Sequence, residues 1–118
     1  MLKKRLASFG FAFKGLKTLV RTQPNARIHL LATVVVVLAG WYFPLRTHEW
    51  LWLIGAMAGV WVTEALNTAL EFLTDLVSPD YHPLAGHAKD VAAAAVLLAA
   101  LAAVLIGLLI FLPHLSAI

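Results

Sequence analysis

Glu64, Asn67, Glu71 and Asp75 follow one another at offsets of three, four and four residues inside an otherwise apolar stretch. At about 100° per residue they fall near 0°, −60°, −20° and +20° on a helical wheel, so four polar side chains share one stripe of a helix. Two kinds of chemistry suit such a stripe. Carboxylate oxygens are hard ligands for Mg²⁺, an ion that keeps several waters and bridges substrate phosphates. A carboxylate within reach of a hydroxyl can also take its proton. The structural alternative is an ion pair between copies of the chain, but few basic residues lie along this stretch to complete one. An ionisable group inside a membrane costs at least about 2.5 kcal/mol. Two glutamates there point to a cation or a reaction.

Lys89 and Asp90 form a second polar group. Beside the acidic stripe they read as Lys89 on phosphate oxygens and Asp90 on a ribose or a metal. Alone they would read as an interfacial anchor and a helix N-terminal charge. His82 and His87 read as solvated loop residues. His29, with Asn25 and Arg27, stands at the mouth of an apolar span, either opening that helix or meeting substrate. Gly10 to Thr18 comes within one residue, Leu16, of a phosphate-binding loop, but no strand precedes it. Such a loop works only as a strand-to-helix turn, so the likeness is a coincidence.

The elements that must position these groups follow from hydropathy. The chain has 118 residues, of which 62% are hydrophobic and 13% charged. Its mean hydropathy is +0.88. So little polar surface predicts lipid as the solvent. Residues 2–21 predict an amphipathic surface helix: Leu2, Leu6, Phe9, Phe13, Leu16 and Val20 make one stripe, and Lys3, Lys14, Lys17 and Arg21 another. Spans follow at about 25–43, 50–77 and 91–112, the last stopping at Pro113. Ser78 to Gly86 reads as a turn-rich loop. The expected fold is therefore an all-α membrane protein with one domain over residues 1–118.

Residues 1–27 carry seven Lys or Arg and no acid, which places the N-terminus in the cytoplasm and the C-terminus outside. The basic zone is too long for a cleaved signal peptide, and no small-x-small site follows the apolar run. The +3 net charge thus reads as orientation, and no nucleic-acid partner is expected. Counted from Trp50 at 1.5 Å per residue, Glu64 lies about 21 Å and Glu71 about 31 Å along the second span. That puts Glu64 roughly 10 Å beneath the cytoplasmic surface of a ~30 Å core. Gly55 and Gly59, with the alanines of the third span, allow close helix approach, and a homo-oligomer is expected. There is no cysteine, hence no disulfide or thiolate metal site.

Glu64 to Glu71 reads E-x-x-N-T-A-x-E, and Ala88 to Asp90 reads A-K-D. Ser8 to Gly15 reads S-F-x-x-A-x-x-G, Asn25 to His29 reads N-x-R-I-H, and Tyr81-His82 stands in the loop. Together these resemble the small prokaryotic integral-membrane diacylglycerol kinase and undecaprenol kinase family, across essentially the whole chain. The resemblance implies a homotrimer in the bacterial inner membrane and phosphorylation of a lipid hydroxyl with ATP and Mg²⁺. By position, it implies Glu64 as general base, Asn67 in support and Glu71 as metal ligand. Lys89, Asp90, Asp80, Tyr81 and His82 would contact nucleotide, as would Lys4 or Arg5 near the N-terminus. The family commonly has a metal-binding glutamate just before the first span, where this chain has Gln23. An amide oxygen can ligate Mg²⁺ without adding charge, so weaker metal binding is expected. A transporter or channel subunit using intramembrane glutamates is the competing function, and a scaffold with a purely structural stripe is a third. Neither explains Lys89 and Asp90 at the boundary.

Overall fold

The computed structural model describes residues 1–118, which form four α-helices. They are α1 (Leu2–Thr22), α2 (Pro24–Tyr42), α3 (Thr47–Val77) and α4 (Pro83–Ser116). Helices α2, α3 and α4 are each long and apolar enough to cross a membrane. The expected all-α fold is observed, with three helices of span length. Pro24 opens α2 at its first position, where a missing N–H costs nothing. Gly10 to Thr18 lie inside the unbroken α1, so no phosphate-binding turn exists there.

Three boundaries differ from expectation, two in α4 and one at the start of α3. The segment from Pro83 to Gly86 is helix rather than loop, because His82 caps it: the Leu84 N–H donates to His82 Nδ1 at 3.1 Å. His87 is accordingly a helical residue. At the other end α4 continues through Pro113 to Ser116. A proline forfeits one backbone hydrogen bond and crowds the preceding turn. Here side-chain contacts hold the last turn. His114 Nε2 lies 3.1 Å from Glu49 Oε2, its ring packs beside Phe43, and Ser116 Oγ donates to the Leu112 carbonyl at 3.0 Å.

Glu49 also explains why α3 starts at Thr47, ahead of Trp50. Its Oε1 accepts the Arg46 backbone N–H at 3.0 Å and closes the first turn. At the opposite end, Lys89 Nζ donates to Asp75 Oδ1 at 2.5 Å. The two pairs are 26 residues apart on α3 and 25 apart on α4, so these helices run antiparallel in constant register.

α2 meets α3 at two points. Gly40 is buried, and a Cβ there would come within 2.5 Å of the Trp50 ring, so only glycine admits that approach. Nearer the start of α2, Trp61 Nε1 donates to Thr33 Oγ1 at 2.9 Å, and Thr33 donates on to the His29 carbonyl at 2.7 Å. Thr33→Val leaves the indole N–H without its acceptor. Hydrogen bonds between membrane helices average about 0.6 kcal/mol and reach about 1.7. The variant should lose stability in that range, measured by unfolding in mixed micelles.

Only 11 of the 118 residues are buried within the single chain. The leucines and valines outside this small core have no protein cover, in keeping with lipid or further copies as their surroundings. Gly55 and Gly59 meet nothing within 4 Å in the single chain.

Candidate active site

The acidic stripe lies on the C-terminal half of α3, and packing divides it. Glu64 is 1% exposed and is the largest fully buried side chain of the molecule. Asn67 and Thr68 are buried beside it on the same helix, Glu71 is half-buried and Asp75 is exposed. Burial of a carboxylate without partners is costly. Glu64 Oε2 nevertheless has no hydrogen-bond partner, and neither do Asn67 Oδ1 or Thr68 Oγ1. Three unengaged oxygens on successive turns of one helix mark a place built for something other than packing. The nearest titratable group to Glu64 comes from α2: His29 Nε2 lies 3.6 Å from Glu64 Oε2, and Nε2 too is buried and unbonded. The His29 ring stands edge-on to Trp61 at 6.4 Å between centroids.

Cavities open on both sides of the stripe. One of about 390 Å³ lies between α1 and α3, lined by Gly15, Leu16, Leu19, Ala65, Thr68 and Phe72 among others. Another of about 540 Å³ lies between α3 and α4 and brings Asn67 and Leu70 to His87 and Ala88.

The remaining residues singled out in the sequence fall into two groups. Lys89 is brought to the stripe, but onto Asp75 rather than onto open space. Asp90, Asp80, Tyr81 and His82 are exposed at the same end of the bundle, Tyr81 by 87%. Of these, His82 is committed through Nδ1 to capping α4. Lys4 and Arg5 stand exposed in the first turns of α1, and neither joins an ion pair in the single chain. Gln23 is half-buried at the α1–α2 junction, and its Nε2 donates to Thr22 Oγ1 at 3.1 Å, which leaves the amide oxygen free.

No three His, Asp or Glu side chains converge into a ready-made cation cage. Mg²⁺ is usually held by one or two carboxylates together with waters and substrate phosphates. The hard donor set here, with the half-buried Glu71 carboxylate and the unengaged Asn67 oxygen, fits that mode of binding.

Sequence reasoning missed the closeness of His29 to Glu64, the burial of Thr68 and the capture of Asp75 by Lys89. The one legible hint was His29 itself, a polar residue six positions into an apolar span.

Residues 10–111 match the family model for prokaryotic diacylglycerol kinase. The undecaprenol kinase of Bacillus subtilis (strain 168) is 40% identical over 114 residues, 97% of this chain and 93% of its own length. A diacylglycerol kinase of Synechocystis is 44% identical over 111 residues, 93% of this chain and 63% of its own length. The diacylglycerol kinase of Escherichia coli (strain K12) is 30% identical over 105 residues, covering 89% of this chain and 86% of the relative. These matches run through α1 to α4 and include every residue of the acidic stripe. They lend no support to transport as the function.

Proposed function

The chain belongs to the prokaryotic diacylglycerol kinase family, and from that premise we propose that it transfers the terminal phosphoryl group of ATP to the hydroxyl of a membrane lipid. The product is phosphatidic acid from diacylglycerol or undecaprenyl phosphate from undecaprenol. The observation that carries the reading is the buried Glu64 carboxylate, whose Oε2 has no partner within the chain.

Phosphoryl transfer asks for positioning and charge neutralisation more than for covalent chemistry. Glu64 takes the proton of the lipid hydroxyl as that oxygen attacks phosphorus. Asn67, one turn along α3, orients the hydroxyl or the phosphoryl oxygens. Lys89 lies at the mouth of the site and exchanges its contact with Asp75 for the polyphosphate. Asp90, Asp80, Tyr81 and His82 line the exposed end where a nucleotide approaches, and the basic residues Lys4 and Arg5 reach it from α1. Glu71 would hold Mg²⁺, with the free amide oxygen of Gln23 as a second candidate ligand, and the ion would supply charge neutralisation for the phosphates.

α1 serves as an interfacial helix. Leu2, Leu6, Phe9 and Phe13 have no protein cover and suit the acyl boundary, while Lys3, Lys14, Lys17 and Arg21 suit anionic headgroups. The end carrying Glu71 and Lys89 faces the cytoplasm of a bacterial inner membrane, the side that the basic N-terminal block favours. Three copies assemble, and this covers apolar helix faces that the single chain leaves open.

Both lipid alcohols present a primary hydroxyl on a long apolar body, and relatives of both names match the chain. Offering diacylglycerol and undecaprenol together in mixed micelles with Mg-ATP decides between them. The ratio of their kcat/KM values names the substrate. Equal and negligible values for both would remove the proposal.

A further inference from the structure

A buried base must be discharged before it can act again. Glu64 is 1% exposed, so a proton taken there has no direct path to water. His29 supplies one. Its Nε2 is 3.6 Å from Glu64 Oε2, and both atoms are buried and otherwise unbonded. That separation is longer than a hydrogen bond, but bonds at catalytic sites often tighten only when substrate binds. The His29 side chain is 16% exposed although Nε2 is not. Nε2 is thus enclosed beside Glu64 while other atoms of the side chain remain open in the single chain.

The ring is held for this task. Thr33 Oγ1 donates to the His29 carbonyl and accepts from Trp61 Nε1, and the Trp61 indole stands edge-on to the imidazole. One staple thus fixes the α2–α3 register that brings His29 to Glu64. No other titratable side chain competes for the ring. From α3 only Glu64 faces it. α4 contributes apolar residues, among them Ala100, Ala103 and Val104, to the cavity beside it. α1 brings no ionisable group to the cavity it shares with α3. Arg27, two residues away on α2, is occupied with the Val20 and Arg21 carbonyls.

We infer that His29 is the residue that positions Glu64 and carries its proton away. This rests on the role of Glu64 as base. In each turnover the lipid O–H bond breaks and its proton goes to Glu64. The lipid oxygen forms the new O–P bond, and the bond between the terminal phosphorus and the bridging oxygen breaks, its electron pair leaving with the nucleoside diphosphate. The proton on Glu64 then passes to His29 Nε2, and the imidazolium releases one proton to water at its accessible edge. One proton leaves per phosphate transferred.

The test is His29→Gln in mixed micelles. Its kcat is expected to fall about 10–100-fold, at the lower end of what a positioned proton-transfer group contributes, with KM for lipid and ATP within about twofold. Added imidazole should recover part of the rate in the variant and leave the wild type unchanged. A residue that merely fills space would give no such rescue. A second readout uses the wild-type chain and Glu64→Gln, following the ¹⁵N shifts of the His29 ring. At fixed pH, removing the neighbouring carboxylate should move the Nε2 resonance, and an unmoved resonance would overturn the inference even if His29→Gln did not fold. Should Glu64→Gln stay active, the base itself is misassigned and His29 falls with it. Should Glu64→Gln be inactive while His29→Gln keeps the wild-type kcat, His29 alone is wrong.

Discussion

Replacing Glu64 with glutamine is expected to lower kcat by about 10²–10⁴-fold, the range a positioned general base contributes. ATP binding should be largely spared. The variant is informative because the side chain is nearly isosteric and sits at 1% exposure, so no new space opens. The fold should not suffer either, since a buried charge without a full partner set is itself costly to keep. Activity and stability should therefore move apart. Loss of turnover with unfolding in micelles unchanged, or shifted upward, identifies chemistry. A variant that turns over near the wild-type rate would show that Glu64 is buried for packing alone.

Glu71→Gln carries the second large effect. Glu71 is half-buried on the same face, one turn beyond Asn67. Removing even an outer partner of a metal site typically costs 10–100-fold in affinity, and a direct ligand should cost at least that. The Mg²⁺ concentration for half-maximal rate should rise about 10-fold or more, with saturating Mg²⁺ recovering part of kcat. The complementary change is Gln23→Glu, which returns a negative charge to the α1–α2 junction. It should move the Mg²⁺ curve the other way. If neither substitution moved the curve, the metal would be held elsewhere.

The acidic stripe was legible because a 3.6-residue period alone places Glu64, Asn67, Glu71 and Asp75 on one face, whatever the helix packs against. The three spans were legible for a similar reason, since hydropathy over ~20 residues needs no tertiary information. What the sequence could not divide was the stripe itself. Glu64 is buried because α2 covers it and Asp75 is exposed because α4 only brushes it, and both facts belong to helix packing. The closeness of His29 to Glu64 is hidden likewise. It spans 35 positions and depends on where Gly40 and Thr33 let α2 seat on α3. Pro113 misled in the opposite direction. Local propensity ends a helix there, but the contact of His114 with Glu49, across 65 positions, carries it to Ser116.

The same distinction separates the two kinds of ion pair in the molecule. Glu49 with His114 and Asp75 with Lys89 tie the ends of α3 to α4 and set their register. Glu64 with His29 ties nothing, because at 3.6 Å with both atoms otherwise unbonded it is an open contact rather than a closed one. The closed pairs sit at the two ends of α3, and the open contact lies at the buried carboxylate.

The central claim is that this chain phosphorylates a lipid hydroxyl, and the most direct test is to follow the label from ATP carrying ³²P in its terminal phosphate. Purified protein in mixed micelles with Mg²⁺ and both lipid alcohols should place the label in an organic-soluble phosphate ester, with one ADP formed per lipid labelled. Folded protein that leaves the label in ATP, or releases it only as inorganic phosphate, would contradict the account.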